Sequence, residues 1–417
     1  MQILNQYHLV RQLTEELASP LSEADAQIQS MPDASPTKWH LAHTSWFFET
    51  FILKKYMQGY KPFDEHFNYL FNSYYNAVGK QFLRKHRGLI SRPSLARVMD
   101  YRAYVDKAID HLLIEAGSHS KIEELLILGI NHEQQHQELI LTDIKHALFH
   151  NPMYPAYHST ENVASDNLEP LKWIEFGEGI YDIGYQGKGF SFDNEKPRHS
   201  YCVNGFKFAD RLVTNAEYIQ FIEDGGYSNP LLWLSDGWSL IQQSEQRLPL
   251  YWCKGEGLFY EFTLSGLREV IAQQPITHIN YYEACAYAHW AGKRLATEYE
   301  WEVVAQSEEL EGSFLQLEQL HPQSINSLSK NNHHTAKVKQ LFGTGWQWTS
   351  SSYGAYPGYK PFAGDAGEYN GKFMSSQYVL RGGSCATPKD HFRKSYRNFF
   401  YPHQAWQFTA IRLAENL

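Results

Sequence analysis

Two histidines one helical turn apart, His132 and His136 in NHEQQHQELIL, are the first residues whose spacing could do chemistry. At i,i+4 on a helix their rings leave the same side and can converge on one metal ion, and neutral imidazole suits Fe, Zn, Cu and Ni. Leu125, Leu128 and Leu139 share their stripe, so both rings are expected to point into a helical bundle, where each needs a partner. A third ligand is available upstream in WHLAHTSWFFE, from His40 or His43. His43 falls on one stripe with Trp39 and Trp46 and is the one expected to face inward. The downstream segment also reads HExxH, the zinc-peptidase arrangement in which Glu133 would be the base. No further Glu or His ligand signature follows it, and three histidines without a carboxylate leave positions open for two substrates or for dioxygen.

The elements that must hold these residues are helices. In the first 150 or so residues apolar positions recur three and four apart. Ser35-Pro36 predicts an N-cap and first helical residue for TKWHLAHTSWFFETFILKKY. Arg92-Pro93-Ser94 introduces LARVMDYRAYVDKAIDHLLIEA, which Gly117 ends, and a further long helix runs from Lys121 to about Phe149, where Asn151-Pro152 stops it. Residues 1–150 are thus expected to form an up-and-down four-helix bundle, 151–170 a polar, Pro-containing linker, and 171–417 a loop-rich α+β domain. In the last, TNAEYIQFIEDGG and YYEACAYAHWAGKR read as short helices ended by Gly, and the stretch from Ser307 to His334 as a surface excursion.

A chain of 417 residues, at roughly 150 per domain, predicts two or three domains. With 37 Lys+Arg against 46 Asp+Glu the net charge is −9, which argues against a nucleic-acid or anionic-membrane surface. No apolar run approaches the ~20 residues that cross a bilayer. The start lacks a signal peptide's apolar region, so a cytoplasmic protein is expected. Cys202, Cys253, Cys285 and Cys385 contain no CxxC pair and fit neither a disulfide scaffold nor a thiolate zinc site.

WHLAHTSWFFETFIL followed by NHEQQHQELIL resembles the DinB-like bundle of the ergothioneine-pathway sulfoxide synthases of the EgtB type. The second half resembles their partner domain, of the formylglycine-generating-enzyme (sulfatase-modifying factor) fold related to C-type lectins. The residues that carry this are VTNAEYIQFIEDGGY, PITHINYYEACAYAHWAGKRLATEYEWE, GTGWQWTSSSY and VLRGGSCATPKDHFRKSYRNFFYPHQAWQFTAIRLA. The resemblance covers nearly the whole chain. It implies one non-haem Fe(II) on His43, His132 and His136, with hercynine, cysteine and O2 as substrates and a sulfoxide thioether at imidazole C2 as product.

Further roles follow from the same resemblance. Asn398, Phe399 and Phe400 match the segment that cradles the trimethylammonium, a cation held by aromatic faces because it has no proton to donate. Gln135 matches a residue that touches the hercynine imidazole, and Tyr74-Tyr75 a tyrosine pair over the iron that supplies a proton. Phe400 and Gln404 stand where relatives that use γ-glutamylcysteine carry charge, which favours free cysteine, with Arg84, Arg87 and Arg397 as candidates for its carboxylate. Cys385 alone cannot supply the copper-binding cysteine pair of true formylglycine-generating enzymes and is read as structural. The alternatives are γ-glutamylcysteine or a selenium donor, histidine as acceptor (the ovothiol type), a zinc peptidase, or a non-catalytic lectin-like binding protein.

Overall fold

The computed structural model describes residues 2–117, 119–159, 170–325, 337–364, 367 and 370–417. The chain divides into two compact units, Met1–His158 with Pro361–Asn370, and Ser159–Lys360 with Gly371–Leu417.

The first unit is built on four long helices: α1 (Gln2–Ala18), α2 (Thr37–Phe48), α3 (Leu95–Ala116) and α4 (Ser120–Phe149). Every residue of α2 is buried, which makes it the central helix of the bundle. It begins one residue later than the sequence suggests, because Pro36 rather than Ser35 occupies the cap position and Ser35 is engaged elsewhere. Its C-terminal end widens into a π-helical stretch, Glu49–Leu53, whose buried Glu49 accepts from the hydroxyls of Tyr60 (2.8 Å) and Tyr101 (2.9 Å). α3 starts where Ser94 accepts from the Arg97 N–H and ends at Gly117, whose φ of +57° is cheap for glycine. α2 and α4 approach closely at Gly129, where a Cβ would lie 2.3 Å from Phe48 Cε1.

The wholly buried stripe of α4 runs through Ile122, Leu126, Ile130, Glu133, Gln137, Ile140 and Ile144. Leu125, Leu128 and Leu139 are only half-buried. The expected stripe of His132 and His136 with those leucines therefore lies beside the bundle's innermost line rather than on it. Of the expected linker, residues 160–169 lie outside the described residues. Its first part packs onto the bundle, with the Tyr157 hydroxyl donating to the Leu17 carbonyl at 2.5 Å.

The second unit combines short helices with small sheets. One four-stranded sheet runs in the order Trp173–Phe176, Phe206–Ala209, Leu413–Asn416, Arg294–Leu295, and another in the order Asn398–Phe400, Tyr378–Arg381, Trp346–Ser352, Thr409–Ala410. Helices Asn215–Glu223, Tyr281–Trp290 and Glu298–Ser307 each open on a reciprocal cap, Thr214 with Glu217, Asn280 with Glu283 and Thr297 with Glu300. The expected surface excursion is corrected in part. Phe314 and Leu320 are buried, and Phe314 packs on Phe392 at 5.3 Å, while residues 326–336 lie outside the described set. Among the described residues no helix is long and apolar enough to cross a membrane.

Candidate metal centre

α2 and α4 bring His43, His132 and His136 together, each offering one ring nitrogen, with these atoms all within 4.8 Å of one another. His43 is wholly buried, and His132 and His136 keep 7% and 8% of their surface. Hydrogen bonds at the far side of two rings settle which nitrogen faces the cluster. His43 Nδ1 donates to the Phe71 carbonyl at 2.6 Å, leaving the Nε2 lone pair to face His132 Nε2 at 3.2 Å. His136 Nδ1 lies 2.8 Å from His40 Nδ1, so its Nε2 is the atom left for the cluster. His132 Nδ1 is buried and has no partner, and the ring stacks on Phe47 with centroids 4.6 Å apart. Trp39 stacks on His43 at 4.5 Å.

Burial, and after it the neighbouring His132, holds the His43 and His136 imidazoles well below their usual range. Burial likewise brings His132 down to about 4. Three neutral imidazoles with crowded lone pairs are a donor set that a divalent transition metal fits, since the cation takes the place of the missing protons between them.

Glu133 does not belong to this cluster. It projects about 100° away from His132 into the bundle interior. There Arg11 Nη1 reaches it at 2.9 Å and Arg102 Nη2 at 3.0 Å. Arg11 also donates to Ser45 Oγ (2.8 Å) and Arg102 to Thr44 Oγ1 (3.0 Å), so one ion cluster ties together α1, α2, α3 and α4. Burial alone would raise the Glu133 carboxyl, but the two guanidinium groups overcome it and hold it at about 2. A carboxylate fixed in this way cannot take a proton from a metal-bound water, and the zinc-peptidase reading of HExxH is set aside.

The remaining expected residues divide between the units. Tyr74 and Tyr75 lie in a loop. Tyr75 is buried against Phe51 (5.0 Å) and Trp46 (5.7 Å) and its backbone is held by Asn72, whereas Tyr74 is half-buried within electrostatic reach of Arg87. Arg87, on the short 3-10 helix Arg84–Leu89, is buried with its guanidinium 3.4 Å over the Trp39 ring. It donates to Ser35 Oγ, its Nε has no partner, and it makes no ion pair among the described residues. Burial pulls it down to about 9. Arg84 donates to the Asp33 carbonyl, and Gln135 is half-buried beside His136 on α4.

In the second unit Phe399 stacks on Tyr353 at 4.0 Å, Phe400 meets Trp406 edge-on at 6.0 Å, and Asn398 begins their strand, all three half-buried. Arg397 is a correction. Its guanidinium is clamped by Glu298 (2.8 and 2.9 Å) and by the carbonyls of Asn194 and Gly354, which leaves no fork for a substrate carboxylate. Cys385 is buried at 1% exposure, and the four cysteines are unpaired with one another.

Sequence reasoning missed two side chains behind the ligands. His40, set aside as the less favoured ligand, touches His136, and its Nε2 meets Asp143 Oδ2 at 3.1 Å. The signal was available, since Asp143 follows His136 by seven residues and so returns to the same helical face.

Comparison with known proteins gives residues 172–417 as a match to the sulfatase-modifying factor enzyme 1-like domain and residues 6–140 as a match to the DinB superfamily. The hercynine oxygenase of Mycobacterium tuberculosis is 28% identical over 414 residues, covering 94% of this chain and 93% of that protein. The hercynine oxygenase of Mycolicibacterium smegmatis is 29% identical, covering 69% and 70%. Ergothioneine biosynthesis protein 1 of Schizosaccharomyces pombe is 27% identical, covering 54% of this chain and 28% of that protein.

Proposed function

Because the chain belongs to the sulfatase-modifying factor enzyme 1-like family, with a DinB-superfamily bundle ahead of that domain, we propose that it is an EgtB-type enzyme of ergothioneine biosynthesis. In this reading it is a non-haem iron(II) sulfoxide synthase that joins the sulfur of cysteine to C2 of the hercynine imidazole. The observation that carries the reading is the buried cluster of three imidazoles, with no carboxylate in it among the described residues, in a chain that aligns over 94% of its length with a hercynine oxygenase. The balance is closed by one O2. C–S bond formation releases two electrons with the C–H and S–H hydrogens, sulfur oxidation releases two more, one oxygen stays on sulfur and the other leaves as water. Iron held by His43, His132 and His136 would supply the site at which O2 and thiolate meet.

The chain's own residues bind and orient. Arg87, a buried cation with an unpartnered Nε, suits the carboxylate of an amino-acid substrate, which Arg holds bidentately. Gln135, half-buried beside His136, is assigned to the hercynine imidazole, and Arg84 stands in the same short helix as Arg87. Asn398, Phe399 and Phe400 are the residues of the second unit assigned to the trimethylammonium. Aerobic incubation of the iron-loaded protein with hercynine and cysteine, read by mass spectrometry, should give the sulfoxide. A product set without any C–S adduct rejects the reading.

Two expectations refine it. Tyr74→Phe or Tyr75→Phe should leave metal binding unchanged but lower sulfoxide formation ~10²-fold or more, with cysteine sulfinate accumulating instead, because a phenol positioned as acid contributes on that scale. Wild-type product ratios in both single variants and the double variant would place the proton donor elsewhere.

Donor choice follows from Phe400, whose ring packs on Trp406, and Gln404, whose Oε1 accepts the Tyr401 N–H at 3.0 Å. Neither offers charge to a glutamyl group, and a buried charge without a partner costs ~1–3 kcal/mol or more. Cysteine should outrun γ-glutamylcysteine by about 10-fold or more in kcat/KM when both thiols compete at equal concentration. A preference for γ-glutamylcysteine would mean that other residues hold the glutamyl end.

A further inference from the structure

The hydrogen bonds behind His136 form a directed chain. Asp143 Oδ2 accepts the Ser35 N–H at 2.8 Å, which fixes that oxygen at the entrance to α2, and the same oxygen lies 3.1 Å from His40 Nε2. His40 Nδ1 in turn lies 2.8 Å from His136 Nδ1. A neutral imidazole carries one N–H, so two arrangements are conceivable. With the proton on His40 Nδ1, its Nε2 lone pair would face a carboxylate oxygen and His136 would carry its own proton on Nε2, closed to metal. With the proton on His40 Nε2, the carboxylate is satisfied, His40 Nδ1 accepts from His136 Nδ1–H, and His136 Nε2 presents a lone pair to the cluster. Asp143 selects the second.

We propose that His40 and Asp143 are positioning residues that fix the tautomer and ring orientation of His136, so that its Nε2 is held ready for the metal. This rests on the metal-site reading above. Ligand histidines commonly donate their outer N–H directly to a carboxylate or carbonyl, as His43 does to Phe71, and loss of such partners typically costs 10–100-fold in metal affinity. Here a second imidazole is interposed, which carries the influence of Asp143 across one more ring. The arrangement draws on α2 for His40 and α4 for His136 and Asp143, so it also fixes the rotation of one ligand helix against the other.

The test uses Co(II) alone, added to the full-length apo protein and followed by affinity and by visible absorption. Wild type should take one Co(II) per chain and His136→Ala none; a wild type that takes none ends the metal-site reading itself. His40→Leu and Asp143→Leu should bind ~10–100-fold more weakly and with a shifted d–d spectrum. His40→Gln, which can accept from His136 and donate to Asp143, should recover most of the affinity, and so should Asp143→Asn with its oxygen toward Ser35. Unchanged affinity in a folded Leu variant, or weaker affinity with the wild-type spectrum, overturns the proposal, the latter because it marks a packing role only. A measurement without variants guards against misfolding. 15N shifts of the Zn(II)-loaded wild type should show His40 protonated on Nε2 and His136 on Nδ1, and His40 protonated on Nδ1 overturns the assignment.

Discussion

His136→Ala and His132→Ala proteins should fold with an intact bundle and carry no stoichiometric metal. The two rings stand beside the innermost line of α4, flanked by half-buried leucines, and the apolar contacts that close the bundle come from Ile122, Leu126, Ile130 and Ile140. Truncating either ring therefore leaves the helix packing in place. It removes one of three neutral donors, a loss larger than the ~10–100-fold that an outer partner costs, and product formation should vanish with the metal. Metal analysis after equilibration with Fe(II), together with circular dichroism, checks both halves of the expectation. One metal per chain with full turnover in either variant would sink the ligand assignment.

The second large effect is on stability. Glu133→Leu should destabilise the bundle by ~3–5 kcal/mol, because it removes the wholly buried carboxylate that Arg11 and Arg102 share and leaves them only the more exposed Asp106 and Glu15 as counter-charges. Arg102 is wholly buried and Arg11 nearly so. For a unit of this size a loss of that order lowers the melting temperature by about 10 °C or more. A thermal melt that moves by less than about 2 °C would show that the interior relaxes around the arginines. The same variant discriminates between readings of HExxH. A catalytic base would be lost with little change in melting, whereas a clamp is lost with a large one.

How much of this the sequence showed depends on the range of each interaction. The His132–His136 pair was legible because both residues lie on one helix and their relative direction follows from its pitch. The choice of His43 over His40 leaned on a stripe with Trp39 and Trp46, yet α2 is buried on every side, so that stripe discriminates nothing. What sets His43 apart is its bond to Phe71, a contact across 28 positions that periodicity does not encode. Tyr74 and Tyr75 are marked in the sequence only by the family resemblance, and the loop that holds them depends on Asn72, which bonds to the Tyr75 backbone and to the Gly79 carbonyl. The fates of Arg87 and Arg397 were alike in sequence, two arginines near aromatic residues. Only the fold shows that Glu298 claims Arg397, whereas Arg87 lies over the Trp39 ring and among the described residues makes no ion pair. In the second unit the caps of Thr214 with Glu217, Asn280 with Glu283 and Thr297 with Glu300 are local contacts three residues apart, a signal present in the sequence, although the helix Glu298–Ser307 is not among the expected ones.

Gly129 adds a constraint of another kind. In a helix interior glycine is ~1 kcal/mol worse than alanine, so a thermostability campaign that scores helices residue by residue would single it out for replacement. The methyl group it would gain has no room, because the edge of the Phe48 ring already fills that space. Gly129 stands less than one turn before His132, and Phe48 less than two turns after His43. The added carbon would act as a wedge between the two ligand-bearing helices, and its cost would be read in the width of the chelate before it was read in a melting curve. Local helix preference is traded there for a fixed separation between two ligands.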